Sequence, residues 1–264
     1  GSIREGIAAD ILGTAEIFGV TLENRKTALD IKPSHFACYC HVVPGRFWLM
    51  SLNQTCGLLL KWYRDTFGEK ETEEAKKRGE DSFSFIINQA KRSPANAVIL
   101  PHLVGSGTPW IDAESQGAIL GLTINTDKSD IIRAILEAPA YEQKVNLDFF
   151  KRFSLPIKEI RATGGGTKSK IWLQIRADIL NETITTVHTN EASCLGAAIL
   201  AQYALGKYSS LEEAVDQMVR VKIRIFPKRT YRDDYELRYK VFTKIYPALK
   251  QINHLMSAIQ QARR

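Results

Sequence analysis

The chain has 264 residues, of which 44% are hydrophobic and 25% charged, and its formal net charge at pH 7 is +7. These proportions are typical of a folded globular protein and exclude collagen-like and disordered classes. No apolar run approaches the ~18 residues that cross a bilayer, so we expect no contact with a membrane.

The excess positive charge is concentrated in the last part of the chain. Residues 222–264 contain eleven Lys or Arg and three Asp or Glu, whereas the remainder is nearly neutral. We interpret residues 230–264 as a basic helical tail with a solvated face, or as the contact of a homodimer. Nucleic acid is not expected as a partner, because no zinc-finger or RNA-recognition motif accompanies the charge.

The cysteines and the first residues bear on location. The chain has four cysteines: Cys38, Cys40, Cys56 and Cys194. None forms a C-x-x-C pair, which favours free thiols in a reducing cytoplasm over disulfides or a zinc site. Gly1 and Ser2 are expected to be an expression scar, and no signal peptide is recognisable.

The first part of the chain is predicted to be mainly β-structure. Strands are expected at residues 11–12, 15–22, 36–43 and 47–49. Gly13 and Thr14 form the turn between the first two strands. A helix is predicted over residues 54–67, ending at Gly68, and the charged residues 69–81 are predicted to be a surface helix or loop.

Strands and helices alternate in the rest of the chain. Strands are predicted at residues 97–100, 117–123, 157–162, 183–187 and 221–225, and helices at 129–152, 168–180, 191–205, 211–219 and from 233 to the end. Pro139 and Pro247 are expected to bend or interrupt the first and last of these helices. The alternation predicts an α/β layer architecture.

Two glycine-marked turns could receive a nucleotide. Gly164, Gly165 and Gly166 lie between a predicted strand and a helix, and Gly13 precedes Thr14 in the first turn. Glycine lets a ligand approach the backbone closely, and the free N–H groups at a helix start attract phosphate. Either segment alone is as typical of an ordinary turn, and the chain has neither G-x-G-x-x-G nor a P-loop motif.

Three windows together resemble the FGGY carbohydrate kinases. The first is GAILGL at residues 117–122, followed by DIIRAILE at residues 130–137. The second extends from RATGGGTKS to ADIL over residues 161–180, and the third is EASCLGAA at residues 191–198. With weaker matches in the same order, the resemblance covers nearly all of residues 6–205.

The resemblance implies an actin-like ATPase (ribonuclease H-like) fold, a mixed sheet flanked by helices. Residues 1–264 would then be the C-terminal, nucleotide-binding domain of a two-domain kinase whose N-terminal domain is absent from the chain. The general-base aspartate, the first phosphate loop and an aspartate that helps hold Mg²⁺ are expected in that other domain. No catalytic residue and no metal ligand is therefore predicted here, since Asp10 precedes the Gly13 turn too closely to match the family's aspartate.

The same resemblance implies a set of nucleotide-contacting residues: Gly13, Thr14, Ala15, Gly57, Lys61, Gly165, Gly166 and Ser169. The first three would cradle the ATP phosphates as a second phosphate loop. Gly57 would line the nucleotide site, and the Lys61 ammonium could meet a phosphate. The last three would receive the adenosine, with Ser169 close to the adenine.

Several other polar residues are predicted to be structural. His102, Glu137 and Glu191 are assigned to the folded core or its edges, and Asp178 either contacts the site or makes a structural hydrogen bond. Trp172 is assigned to the core or to the wall of the cleft.

The reaction implied by the resemblance is transfer of the ATP γ-phosphoryl group to a sugar hydroxyl, with Mg²⁺, in the cytoplasm. A ketose such as xylulose or ribulose is the expected substrate. The alternatives are a glycerol or other polyol kinase of the same family, or a non-catalytic actin-like module that only binds nucleotide. The isolated chain is expected to turn over nothing.

Overall fold

The computed structural model describes residues 1–23, 35–189 and 191–262. Within these residues the main sheet has seven strands: β1 (Gly6–Leu12), β2 (Glu16–Leu22), β3 (Ala37–Cys40), β4 (Phe47–Asn53), β7 (Ile157–Thr163), β8 (Ile184–Val187) and β9 (Val221–Ile225). A separate antiparallel pair consists of β5 (Val98–Leu100) and β6 (Ala118–Leu120). All of the strands predicted from the sequence are found, with ends shifted by a few residues.

The strand order of the main sheet is β3-β4-β2-β1-β7-β8-β9. β1 pairs antiparallel with β2 and parallel with β7, so the sheet is mixed. Its register brings Ile11 opposite Thr163 at the carboxyl ends of β1 and β7. The segments that follow these two strands therefore start side by side at one edge of the sheet.

The helices in the described part of the chain are α1 (Gly57–Phe67), α2 (Glu69–Arg78), α3 (Ser82–Asn88), α4 (Lys128–Arg152), α5 (Lys170–Leu180), α6 (Ala192–Ala204), α7 (Leu211–Met218) and α8 (Arg232–Gln261). Helix α3 has no counterpart in the sequence prediction. Each of these helices is too short or too polar to cross a membrane.

The interruptions expected at Pro139 and Pro247 are wrong. Both prolines lie inside continuous helices, α4 and α8. A proline removes one backbone donor from the helical hydrogen bonds. In α4 the neighbours Ala138 and Ala140 are wholly buried, and in α8 Tyr246 is buried directly before the proline, so tertiary packing holds both helices together.

The main core lies on one face of the sheet. Ile160 and Ala162 of β7 point into it, together with the buried lengths of α4, α5 and α8. Arg161, the alternate residue, points to the opposite face and lies near Asp216 of α7. A second, smaller cluster of buried residues packs there against α6 and α7. Helices thus cover both faces, as the predicted architecture requires.

His102 is wholly enclosed in the core. Its Nδ1 lies 2.6 Å from Ser115 Oγ, and its Nε2 lies 3.2 Å from Glu142 Oε1. All three side chains are buried. The structural role predicted for His102 is therefore what the contacts indicate.

The buried pair of Arg133 and Glu137 on α4 predicts how stability changes with pH. Glu137 Oε1 accepts hydrogen bonds from Arg133 Nε at 2.7 Å and from the Ala95 amide at 3.2 Å. Burial raises the pKa of Glu137 from 4.5 to about 7, although Arg133 acts in the opposite direction. Between these pH values the folded chain keeps a proton that the unfolded chain has lost. The contribution of Glu137 to the free energy of unfolding should therefore fall by about 3 kcal/mol as the pH rises through this window.

Urea unfolding followed by tryptophan fluorescence across the same pH window measures this slope. The slope of the Glu137→Gln variant should be smaller by about this contribution, because glutamine has no proton to release. Glu73→Gln, on the exposed side of α2, is the matched control and should keep it. Equal slopes in the wild-type chain and Glu137→Gln would contradict the prediction.

Candidate functional site

The turn between β1 and β2, residues 13–15, is held by the start of α1. The Gly13 amide donates to the Ala15 carbonyl at 3.0 Å, which closes the turn. The amides of Cys56 and Leu58 both donate to the Thr14 carbonyl at 3.0 Å. These bonds occupy the inner side of the β1–β2 turn and leave Gly13 and Thr14 exposed on its outer side.

Gly57 allows this contact because it has no side chain. Its amide donates to the Gly13 carbonyl at 2.9 Å. A Cβ built on Gly57 would lie 2.7 Å from the same Gly13 oxygen, closer than real carbon atoms approach. Only glycine therefore lets α1 and the turn lie this close together.

The bend between β7 and α5, residues 164–166, packs against the end of β1. Gly164 has φ +91°, and a Cβ there would lie 2.6 Å from the Leu12 carbonyl oxygen. A Cβ on Gly166 would lie 2.9 Å from the Leu12 side chain, whereas Gly165 has no atom within 4 Å of its Cβ position. The β7–α5 bend is thus in direct contact with Leu12, the residue before the β1–β2 turn, and Gly165 faces open space.

The two segments and the start of α1 surround one cavity of about 560 Å³. This volume lies within the range of pockets that enclose small molecules. Of the predicted nucleotide-contacting residues, those that line the cavity are Gly13, Thr14, Gly57, Lys61, Gly165, Gly166 and Ser169. Ala15 does not line it and instead accepts the bond that closes the turn.

Helix α5 begins at the cavity. The Ser169 hydroxyl accepts the Trp172 amide at 3.2 Å and so caps the helix. Trp172 forms part of the cavity wall, and its ring nitrogen donates to the Leu136 carbonyl at 2.9 Å. Ser169 therefore has a structural bond at the position predicted to face the adenine, and Trp172 is the wall residue that the sequence suggested.

Positive side chains dominate the rim of the cavity. Lys61, Arg64 and Lys168 all line it. The Lys61 ammonium is bonded to Asp65, which also accepts Arg64 Nε at 2.7 Å. The hydrogen bond from Lys61, and to a lesser extent the one from Arg64, lowers the pKa of the exposed Asp65 carboxyl. The lysine is therefore paired but at the surface, where an arriving phosphate could replace its partner.

Comparison of the sequence with known protein families agrees with the arrangement of this cavity. A sequence profile of the C-terminal domain of the FGGY family of carbohydrate kinases matches residues 8–205. The chain belongs to the FGGY family of carbohydrate kinases. The fold predicted from the resemblance, a mixed sheet of the actin-like ATPase type flanked by helices, is confirmed.

Several sugar kinases can be aligned with almost all of this chain. A xylulose kinase of Staphylococcus epidermidis is 31% identical over 255 residues, which are 96% of this chain and 49% of that protein. A gluconokinase of Bacillus licheniformis is 31% identical over 94% of this chain and 48% of its own length. The crystal structure of xylulose kinase from Rhodospirillum rubrum shares the fold, with TM-score 0.82 and 24% identity over 96% of this chain and 49% of that one. The chain thus spans about half the length of the relatives it matches.

Sequence reasoning missed one wall of the cavity in this FGGY domain. Phe83, Ser84 and Ile87 of α3 line it, and Asp81 caps α3 by accepting the Ser84 amide at 2.8 Å. The Arg64 guanidinium lies 4.3 Å from the centre of the Phe83 ring. The sequence signal that could have revealed α3 is Asp81, a residue type that often caps helices, followed by the apolar residues of this short segment.

Two carboxylates that the sequence singled out, Asp178 and Glu191, lie in different surroundings in this FGGY domain. Asp178 accepts the Lys228 amide at 2.7 Å and Gln174 Nε2 at 2.8 Å, which is the structural alternative predicted for it. Glu191 stands at the start of α6 without capping it through its side chain. No group of three or more His, Cys, Asp and Glu in residues 1–23, 35–189 and 191–262 is arranged to hold a metal ion.

Proposed function

We propose that this chain is the nucleotide-binding half of an ATP-dependent sugar kinase. The reaction is transfer of the ATP γ-phosphoryl group to a hydroxyl of a ketose such as xylulose or ribulose. The observation that carries the proposal is that the β1–β2 turn and the β7–α5 bend, which packs against the end of β1, line one cavity. Family membership supplies the class of reaction.

Each part of the cavity has a role in this proposal. Gly13 and Thr14 offer exposed backbone to the phosphates, because their inner side is already bonded to α1. Lys61, Arg64 and Lys168 supply positive charge at the rim. Gly165 and Gly166 leave room for the adenosine. Phosphoryl transfer depends mainly on such positioning and charge stabilisation.

The remaining parts of the reaction lie outside this chain in the proposal. The described residues offer no cluster of metal ligands, so Mg²⁺ would enter with the ATP and meet carboxylates of an N-terminal domain. The general base and most sugar contacts would lie there too. Closure of the two domains would exclude water from the reacting phosphate. The enzyme is proposed to act in the cytoplasm.

The activity test uses the complete protein that contains this chain. ADP release with Mg·ATP should depend on the sugar in a panel of xylulose, ribulose, gluconate and glycerol, with a ketose giving the highest kcat/KM. Gluconate is included because a gluconokinase is as similar to this chain as a xylulose kinase. ATP binding without turnover on any member would favour the non-catalytic nucleotide-binding module instead.

A substitution at Gly165 tests the nucleotide site directly. Gly165 lines the cavity and has no neighbour within 4 Å of its Cβ position, so Gly165→Leu should fold normally and fill the space for the adenosine. ATP binding to this chain, measured by fluorescence of a labelled analogue, should weaken at least about tenfold, or about 1.4 kcal/mol. The melting temperature should stay within about 3 °C of the wild-type value, because the substitution should change the free energy of unfolding by less than about 1 kcal/mol.

Gly196→Leu is the matched control. Gly196 lies in α6 and likewise has no atom within 4 Å of its Cβ position, but it does not line the cavity. It should leave ATP binding unchanged. Unchanged ATP affinity in Gly165→Leu would show that the nucleotide binds elsewhere.

A further inference from the structure

A cluster of buried charges lies directly behind the β1–β2 turn. Arg176 Nη2 donates to Asp10 Oδ2 at 2.9 Å and also to Glu16 Oε1. All three side chains are wholly inaccessible to solvent. None of them lines the cavity, so the cluster does not contact the nucleotide in the proposed function.

The cluster connects the two segments that form the cavity. Asp10 lies near the end of β1, three residues before Gly13. Glu16 is the first residue of β2, three residues after Gly13. Arg176 belongs to α5, the helix that follows the β7–α5 bend. Trp172, one turn earlier on the same face of α5, lines the cavity. One guanidinium therefore holds both arms of the turn and ties them to α5.

On its other side, Glu16 is held by one side-chain amide, which is itself held by a second. Asn53 Nδ2 of β4 donates to Glu16 Oε2 at 2.8 Å, and Asn146 Nδ2 of α4 donates to Asn53 Oδ1 at 2.8 Å. Both amides are buried. Because each oxygen of the Glu16 carboxyl has its own donor, the side chain is held in a single orientation.

Stability alone does not explain this arrangement. Taking a charge out of water costs several kcal/mol, and apolar side chains of similar volume often stabilise a core as well or better. Burial and the nearby Asp10 carboxylate raise the pKa of Glu16, whereas Arg176 lowers it. A proton retained by Glu16 leaves the cluster neutral beneath a turn that faces phosphate. Unlike apolar packing, directional hydrogen bonds hold the end of β1 and the start of β2 in one fixed position.

We propose that Arg176 is the positioning residue of the β1–β2 turn. Through Asp10 and Glu16 it fixes the turn where Gly13 and Thr14 would meet the phosphates. The effect on catalysis rests on the proposed function, whereas the effect on the turn itself does not.

Three variants separate positioning from folding. Arg176→Met leaves the buried Asp10 and Glu16 carboxyl groups without their cation and is expected to unfold the chain. The variant D10N/E16Q/R176M removes all three charges with little change in volume, so it should fold. Arg176→Lys serves as the rescue variant, because a single nitrogen, Nη2, makes both bonds and one ammonium can replace it.

Hydrogen exchange of the 264-residue chain measures the turn without any ligand. The amides of Gly13, Gly57 and Leu58 make the bonds that hold the turn. In D10N/E16Q/R176M they should exchange at least about tenfold faster relative to the Phe242 amide, which lies in the remote helix α8. Arg176→Lys should restore most of the protection. Equal relative exchange in the wild-type chain and D10N/E16Q/R176M would overturn the proposal.

Kinetics of the complete protein test the consequence. In D10N/E16Q/R176M the KM for ATP should rise at least about tenfold while the KM for the sugar stays within about twofold, a split that general destabilisation does not produce. Faster exchange with unchanged kinetics would overturn the proposal, because the turn's position would then have no effect. If the wild-type protein turns over no sugar but the exchange result holds, the positioning role stands and the proposed function fails.

Discussion

Gly57→Ala should lower kcat/KM for ATP by about 100-fold in the complete protein, because a displacement near 1 Å is enough to misplace a reacting group. The added Cβ would lie 2.7 Å from the Gly13 carbonyl oxygen. That oxygen already accepts the Gly57 amide, so any movement that relieves the overlap also lengthens this bond. We expect the turn to be displaced relative to the helix, and with it the backbone that faces the phosphates.

Stability should change much less than activity in this variant. Alanine is intrinsically favoured over glycine within a helix, by up to about 1 kcal/mol, which offsets part of the strain. Steady-state kinetics with varied ATP and varied sugar measure the effect, and the KM for the sugar provides the internal control. Activity within about threefold of wild type would mean that the β1–β2 turn does not hold the phosphates.

The parts of the site that could be predicted from the sequence are those with a local signal. Gly13, Gly57 and Gly164 each stand where the backbone must approach another segment, and their neighbours in the sequence match a family pattern. The structure brings these distant positions together because β1 and β7 are parallel neighbours. Local patterning, taken together with the family resemblance, therefore identified the glycine-bearing segments of the cavity, although not its α3 wall or how each side chain is bonded.

The parts that could not be predicted depend on contacts between distant segments. Asp10, Glu16 and Arg176 come from β1, β2 and α5, and nothing in their local sequence shows that they meet. Helix α3 is short and directly follows a highly charged stretch, so periodicity gave no signal for it. Pro139 illustrates the reverse case, because burial of α4 overrides a local rule. The sugar's identity depends on contacts expected outside this chain.

Gly107→Ala should destabilise the chain strongly. A Cβ on Gly107 would lie 1.7 Å from the Leu52 carbonyl oxygen and 2.7 Å from the Leu52 carbonyl carbon. These are backbone atoms of β4, so no side-chain rotation can relieve the overlap. Overpacking of this kind costs about 3 kcal/mol or more. For a chain of this size, that corresponds to a fall in melting temperature of about 10 °C.

The backbone around Gly107 has little freedom to move away. The next residue, Thr108, donates its amide to the Leu52 carbonyl at 2.9 Å, and its hydroxyl accepts the Leu52 amide at 2.9 Å. The pairing of β3 with β4 stops at Met50, so this loop supplies the bonds of β4 beyond the end of β3. Moving the loop outward would leave the amide and carbonyl of Leu52 without these partners, which adds to the cost.

Gly196→Ala gives the comparison with the opposite sign. Gly196 lies inside α6 with no atom within 4 Å of its Cβ position, so alanine should stabilise the chain by up to about 1 kcal/mol. Thermal and urea unfolding of both variants beside the wild-type chain measure the difference. If Gly107→Ala melted within about 2 °C of wild type, a shift that corresponds to less than 1 kcal/mol, the close approach of the loop to β4 would be wrong. The route by which residues 105–116 reach the edge of the sheet would then need to be redrawn.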